Sequence, residues 1–234
     1  MSPKITLYTN RLCPWAHRAH IALIELGIDY EEVTIDLDTP REPWYLEVNP
    51  RGLVPALSYD GTIILESAII AQFLVDAYPS HILPPSNTPE GALKRARTTF
   101  FVDTWANKVS SLYHATLRAS DADRQASSDA FVAAVKKEIE PLIYPAHTAG
   151  QGPYFEGSEK LTFAEVLLGS FLLRLFSLAK PEYGLFPADL VQTLEKETPN
   201  FKRWAEATIA HPSVKAIYDE EKVATRTVRR YGQK

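Results

Sequence analysis

Apolar and polar residues alternate from Lys4 to Thr9, with Ile5 and Leu7 on one side and Thr6 and Tyr8 on the other, which predicts a first β-strand. At Ala16 the period changes. Ala16, Ala19, Leu23 and Leu26 mark one face of a helix, and Gly27 is placed to end it. Val33, Ile35 and Leu37 alternate again as a second strand, and the connection is long enough for a βαβ crossover, so the two strands are expected to run parallel. Thr39 to Leu53, rich in turn and aromatic residues, reads as a loop ending at Val54-Pro55. Two further strands, Ala56 to Tyr59 and Thr62 to Leu65, flank Asp60-Gly61, a dipeptide suited to the two positive φ angles of a tight antiparallel hairpin. Ser67 is expected to cap the next helix, whose apolar positions Ile69, Ile70, Phe73, Leu74 and Ala77 fall on one side.

Pro79, Pro84, Pro85 and Pro89, interleaved with Ser80, Ser86, Asn87 and Thr88, mark a linker. Beyond it no strand is predicted. Thr88 can cap a long helix with Pro89 at its first position. Phe131, Val135, Ile139 and Leu142 recur at helical spacing, with Pro141 bending or ending that helix. Thr162 and Glu165 form a capping box, with Leu161 and Val166 as its hydrophobic staple, ahead of a buried helix through Ala179. Pro199 to Ala210 and Pro212 to Glu221 complete the helices. The pattern divides the chain into residues 1–80, a small mixed sheet carrying helices, a linker at 81–88, and an all-helical part at 89–234.

The composition, 45% hydrophobic and 23% charged over 234 residues, is that of a chain that buries a full core rather than a disordered one. A net charge of -4 argues against a nucleic-acid partner. The basic C-terminal stretch with Lys222, Arg226, Arg229, Arg230 and Lys234 reads as a solvated tail. The most hydrophobic run, Val166 to Ala179, is too short to span a bilayer and is broken by Gly169, Ser170, Arg174 and Ser177, so no membrane partner is expected. With a single cysteine, no intramolecular disulfide forms, and a reducing, cytoplasmic setting is expected.

That cysteine, Cys13, stands between the first strand and a helix opening at Pro14. Its sulfur is therefore expected beside the unpaired N–H groups of a helix start, where a thiolate is stabilised. A helix terminus contributes about 1 to 2 kcal/mol, which half-activates the sulfur and leaves the rest to neighbouring donors. A small buried apolar cysteine is the plain alternative. His17, four residues on, either shares a helix face with the sulfur or is a surface residue.

Four stretches carry a resemblance to the cytosolic glutathione transferases: Leu12-Cys13-Pro14-Trp15-Ala16-His17-Arg18, Asn49 to Leu57, Leu65-Glu66-Ser67-Ala68-Ile69, and Leu161 to Val166. The cysteine followed by proline and an aromatic resembles the omega class and its fungal and bacterial relatives, which are thiol transferases. The resemblance implies a thioredoxin-like four-stranded domain followed by a helical one, with glutathione as co-substrate. It implies Cys13 as the catalytic residue, Val54 pairing its backbone with the cysteinyl part of glutathione ahead of a cis Pro55, and Glu66 and Ser67 holding the γ-glutamyl end. Arg41 lies where the omega pattern has a lysine near glutathione. Trp15, Tyr8, Arg174 and Trp105 are candidates for the substrate cleft, with Tyr113 and His114 on the bordering helix; each has a core-packing or ion-pairing alternative. Glu165 stands where the family more often has aspartate.

Three functions are compatible with these residues. The first is glutathione-dependent thiol transfer or reduction through a mixed disulfide at Cys13; Ala16 occupies the place of a second cysteine, so external glutathione must resolve the intermediate. The second is conjugation of glutathione to an electrophile with Tyr8 assisting the thiol, and the third a non-catalytic binding module on the same fold. The resemblance also implies a homodimer.

Overall fold

The computed structural model describes residues 3–143 and 152–232; Lys234 of the basic C-terminal stretch lies outside them. The chain begins with β1 (Ile5–Thr9), α1 (Pro14–Glu25), β2 (Glu31–Thr34), α2 (Pro43–Val48), β3 (Ala56–Tyr59), β4 (Thr62–Leu65) and α3 (Ser67–Ala77). The four strands form one sheet in the order β2-β1-β3-β4. β1 pairs parallel with β2, as a crossover through α1 requires, and antiparallel with β3, which forms a hairpin with β4. Asp60 and Gly61 turn that hairpin with φ of 47° and 85°, the pair of left-handed residues its tight turn needs.

Several details depart from the sequence reading. β2 ends at Thr34, and Ile35, expected inside the strand, lies just beyond it, buried, with its N–H donated to the Thr9 carbonyl at 2.7 Å. The stretch expected as a loop contains α2, a short helix opened by Pro43 at its first turn. Ser67 is the first residue of α3 and does not cap it; Glu66 occupies the cap position at φ 70°. On α3, Ile70, Ala71 and Leu74 face the core, whereas Ile69 is 57% exposed.

From residue 89 onward every regular element among the described residues is helical: α4 (Pro89–Thr104), α5 (Ser110–Arg118), α6 (Arg124–Ala134), α7 (Phe163–Leu178), α8 (Leu190–Glu197), α9 (Pro199–Ala210), α10 (Pro212–Lys215) and α11 (Glu220–Tyr231). A five-residue π-helical segment joins α4 to α5, and a second one continues α6 to a 3-10 turn holding Pro141. Thr88 caps α4 by accepting the Gly91 N–H at 3.1 Å. The capping box on α7 is present, and both staple residues are fully buried. The final helix expected to run to Glu221 stops at Lys215, and a new one begins at Glu220.

One hydrophobic cluster joins the sheet to the helices, bringing Ile5, Leu7, Ala19, Leu57 and Ile70 together with Phe163, Val166, Leu167 and Val214. Gly169 makes this contact close: a Cβ there would meet both methyl groups of Val214 at 3.1 and 3.2 Å. A second cluster, built on Phe101, Trp105, Phe131, Leu172, Phe201 and Trp204, fills the helical part. α7 contributes to both, so it fixes the start of α1 against the helical wall.

Candidate active site

Cys13 caps α1 at the mouth of the β1–α1 turn, and Pro14 takes the first helical position. The turn is tied down by Asn10. Its carbonyl accepts the Cys13 N–H at 2.9 Å, its side-chain oxygen accepts the Leu12 N–H at 3.0 Å, and its amide donates to the Ile35 carbonyl at 2.9 Å. Cys13 is partly exposed, not sealed in the core. It stands at the helix start, as the sequence suggested, but its sulfur makes no capping hydrogen bond with the helix N–H groups.

Further positive charge comes from two buried arginines. Arg18, 6% exposed, donates its Nε–H to the Leu167 carbonyl at 2.7 Å and an Nη1–H to the Ser67 hydroxyl at 3.4 Å, with its guanidinium 4.6 Å from the centre of the Trp15 ring. Burial pushes its pKa down to about 10, and the charge of Cys13 acts against that fall. Arg174, 4% exposed, donates to the Ser170 carbonyl at 3.0 Å, to those of Arg11 and Leu12 at 3.4 and 3.3 Å, and contacts His17 Nδ1 at 3.1 Å. Burial lowers its pKa too, with Tyr218, Tyr113 and Cys13 opposing. Neither guanidinium has a carboxylate partner among the described residues, so the internal ion pair considered for Arg174 does not form. Buried cations without a carboxylate partner are costly, and a negative charge at Cys13 acts in favour of both.

His17 is fully buried, not a surface residue. It stacks on Tyr218 at 6.3 Å with the planes 10° apart, and burial followed by the charge of Arg174 holds its pKa well below the ordinary value. It therefore stays neutral and accepts from Arg174 through Nδ1.

Two cavities meet at Cys13. The first, of about 530 Å³, is bounded by Cys13, Trp15, Arg41, Val54, Pro55, Glu66 and Ser67, together with Arg226 and Arg230. It brings together the residues expected to hold glutathione. The Val54-Pro55 peptide is cis, as expected. Tyr45 and Asn49 donate to the Leu53 carbonyl at 2.5 and 2.7 Å, while Val54 makes no backbone hydrogen bond among the described residues. Its N–H and C=O are thus open to an extended ligand. Glu66, half-exposed at the start of α3, pairs with Arg51 at 2.5 Å. Arg41 borders the cavity, but its guanidinium already donates to the carbonyls of Gly52, Asp36 and Thr39 at 2.9, 2.6 and 2.6 Å. Gly52, at φ 62°, permits that clamp, since a Cβ would stand 3.0 Å from Arg41 Cγ.

The second cavity, of about 330 Å³, opens on the helical side of Cys13, between α1, α5, α7 and α11. Trp15 packs edge-on against Phe171 at 4.8 Å and lines both cavities. Tyr113, His114 and Arg174 line the second. Two of the expected cleft residues lie elsewhere. Trp105 is 3% exposed and stacks on Phe201 at 6.0 Å inside the helical core. Tyr8 packs among the rings of Trp44 and Tyr45, at 6.3 and 5.9 Å, and borders neither cavity.

Sequence reasoning missed Arg226 and Arg230 by treating the basic stretch as a tail. They lie on α11 and line both cavities; Asp38 accepts from Arg226 at 2.7 Å and from Arg229 at 3.2 Å, holding the helix over the site. A signal was present. Asp219 caps the helix, Glu220 and Glu221 fill its first turn and Arg229 and Arg230 its last, the charge order a helix dipole favours.

Residues 12–77 match the family model described as the N-terminal domain of glutathione S-transferase. The chain is 30% identical over 217 residues to the glutathione S-transferase omega-1 of Sus scrofa, covering 92% of this chain and 81% of that one. Among solved structures it resembles the glutathione transferase Omega 2C of Trametes versicolor, at 27% identity and a TM-score of 0.76, over 99% of this chain and 100% of the other. A rice GST solved in complex with glutathione shares the fold, with a TM-score of 0.80 at 24% identity over 99% of this chain and 97% of that one.

Proposed function

The chain belongs to the glutathione transferases and is omega-like among them, and on that premise we propose that it is a glutathione-dependent thiol transferase acting through a mixed disulfide at Cys13. The observation that carries this reading is the position of Cys13: partly exposed, at the junction of two cavities, with Arg18 and Arg174 buried beside it. Residues 1–80 supply most of the glutathione side, joined there by Arg226 and Arg230, and α5, α7 and α11 supply most of the acceptor side, joined by Trp15.

Glutathione is the co-substrate. Val54 offers its backbone to the cysteinyl part, and Ser67 and Glu66 at the start of α3 meet the γ-glutamyl end, where helix N–H groups favour a carboxylate. Arg226 and Arg41 face the other carboxylate. The Cys13 thiolate attacks the glutathionyl sulfur of a mixed disulfide. The bond to the acceptor sulfur breaks, that sulfur departs as a thiolate and takes a proton from water, and glutathione stays bound to Cys13. A second glutathione thiolate attacks the bound glutathionyl sulfur, freeing Cys13 and releasing oxidised glutathione. With no second cysteine in the chain, this second molecule is obligatory.

Reduction of hydroxyethyl disulfide by wild type and Cys13→Ala tests the reading: turnover is expected to vanish in the variant, and retained turnover removes Cys13 from the mechanism. Conjugation assisted by Tyr8 has less support, since that side chain borders neither cavity. Tyr8→Phe is expected to leave any chlorodinitrobenzene conjugation unchanged, and a loss of tenfold or more would reinstate the tyrosine. The same reading includes a homodimer, supported by exposed Ile69 on α3 and Leu93 and Phe100 on α4, and a cytosolic setting, where reduced glutathione is abundant.

A further inference from the structure

The acceptor cavity beyond Cys13 has no carboxylate in its lining, although acidic residues outnumber basic ones in the chain, 29 to 25. Its charged lining is entirely arginine: Arg118, Arg174, Arg226 and Arg230. Asp38 answers Arg226. The other three have no carboxylate partner among the described residues. Arg118 donates to the His114 carbonyl one turn back on its own helix at 3.1 Å, Arg230 lies 5.4 Å from the Tyr231 ring, and Arg174 is buried with its Nε–H unpaired. Arg118 and Arg174 do not border the glutathione cavity, so the carboxylates of glutathione do not account for them. The remaining walls are largely apolar, with the rings of Trp15, Tyr113, Phe171 and Tyr231 set among Leu37, Leu117, Leu178 and Val223. Past the mouth, a further cavity shares Arg118 and Arg230 and adds Arg124, which is paired with Asp121 at 2.7 Å.

Resting on the thiol-transfer reading, we propose that the acceptor half of the substrate is a small aromatic anion, an arene bearing a carboxylate or sulfonate. The ring lies against the apolar walls, and the negative group meets Arg118 and Arg230, which have no carboxylate partner among the described residues. A volume of about 330 Å³ is at the lower end of small-molecule sites, which suits one substituted ring beside the glutathionyl sulfur. Because Arg118 and Arg230 are exposed at the mouth, they draw the anion in from solution, and their pull weakens as salt rises.

Two stable thioethers isolate this property, S-(4-carboxybenzyl)glutathione and S-(4-methylbenzyl)glutathione, which share every glutathione contact and differ in one charge. Calorimetry in 50 mM salt is expected to show the acid binding about tenfold more tightly, as one charge-assisted contact would give, with the advantage shrinking at 500 mM salt. Arg118→Gln and Arg230→Gln are each expected to reduce the ratio of the two Kd values, a quantity that cancels any general change in folding or glutathione affinity. Equal binding of the two thioethers, or a ratio untouched by both substitutions, overturns the proposal. Hydroxyethyl disulfide turnover separates the two readings: reduction without charge discrimination removes the anion preference alone, whereas discrimination without reduction supports the anion site and removes thiol transfer.

Discussion

Arg18→Met removes a buried charge while keeping most of the side chain's length, and the structure allows its two effects to be weighed. At pH 7 the wild-type guanidinium remains protonated even though burial pushes its pKa from the ordinary value down to about 10. That fall corresponds to roughly 3 kcal/mol spent on burying the charge, which the methionine recovers. Against this, the Leu167 carbonyl loses its 2.7 Å donor and the Ser67 hydroxyl a long one, together worth about 2 to 3 kcal/mol. The two nearly cancel. Stability measured by urea unfolding is therefore expected to change by less than about 2 kcal/mol. Reactivity is not expected to cancel, because the interaction between the Arg18 cation and a Cys13 anion is reciprocal. Losing one charge interaction of about 1.4 kcal/mol in the attack corresponds to tenfold in rate, so iodoacetamide alkylation at pH 7 is expected to slow about tenfold. Alkylation within twofold of wild type, in a variant of unchanged stability, would refute the claim that buried arginine charge activates the sulfur.

Glu165→Ala strikes the fold instead. Burial pushes the Glu165 carboxyl up, and donors from Thr162 N at 2.7 Å, Thr162 Oγ1 at 2.7 Å, Phe155 N at 2.8 Å and Trp204 Nε1 at 2.5 Å oppose it. Stranding those donors is expected to cost about 3 to 5 kcal/mol, or roughly 10 °C in Tm by calorimetry, and a shift below about 2 °C would show that the network is dispensable. His20 predicts a pH dependence. It is buried between the Thr9 hydroxyl at 2.9 Å and the Tyr30 hydroxyl at 2.8 Å, and desolvation brings its pKa from 6.5 to about 4. Because the unfolded chain binds this proton first, stability is full above pH 6.5 and is lost as pH falls toward 4, by roughly 3 kcal/mol in all. Urea midpoints at pH 7.5 and 5.0 are expected to differ less in His20→Gln than in wild type, and equal differences would assign the effect elsewhere.

Local chemistry made much of the frame legible. The Asp60-Gly61 turn, the Thr88-Pro89 start and the Thr162–Glu165 box are each decided by residues within four positions of one another, and each stands where expected. Errors cluster where a neighbour distant in sequence overrides the local pattern. Ile69 follows an apolar stripe yet is exposed, and Ser67, a good capping residue by type, is the first helical residue and accepts instead from Arg18. α11 was misread for the same reason. Its charges resemble a solvated tail until Asp38, 188 positions away from Arg226, pins it over the site.

By itself the sequence determined the order of the four strands, the main helices between them and the position of one cysteine at a helix start, because period, turn and capping preferences act over a few residues. Only the tertiary structure decided which cations surround that sulfur, that Trp105 is core and Tyr8 stands aside, and that four arginines line the acceptor cleft without a carboxylate among them. Charge interactions depend on distance and burial, and both are set by the packing of α7 and α11 against a turn more than 150 residues earlier.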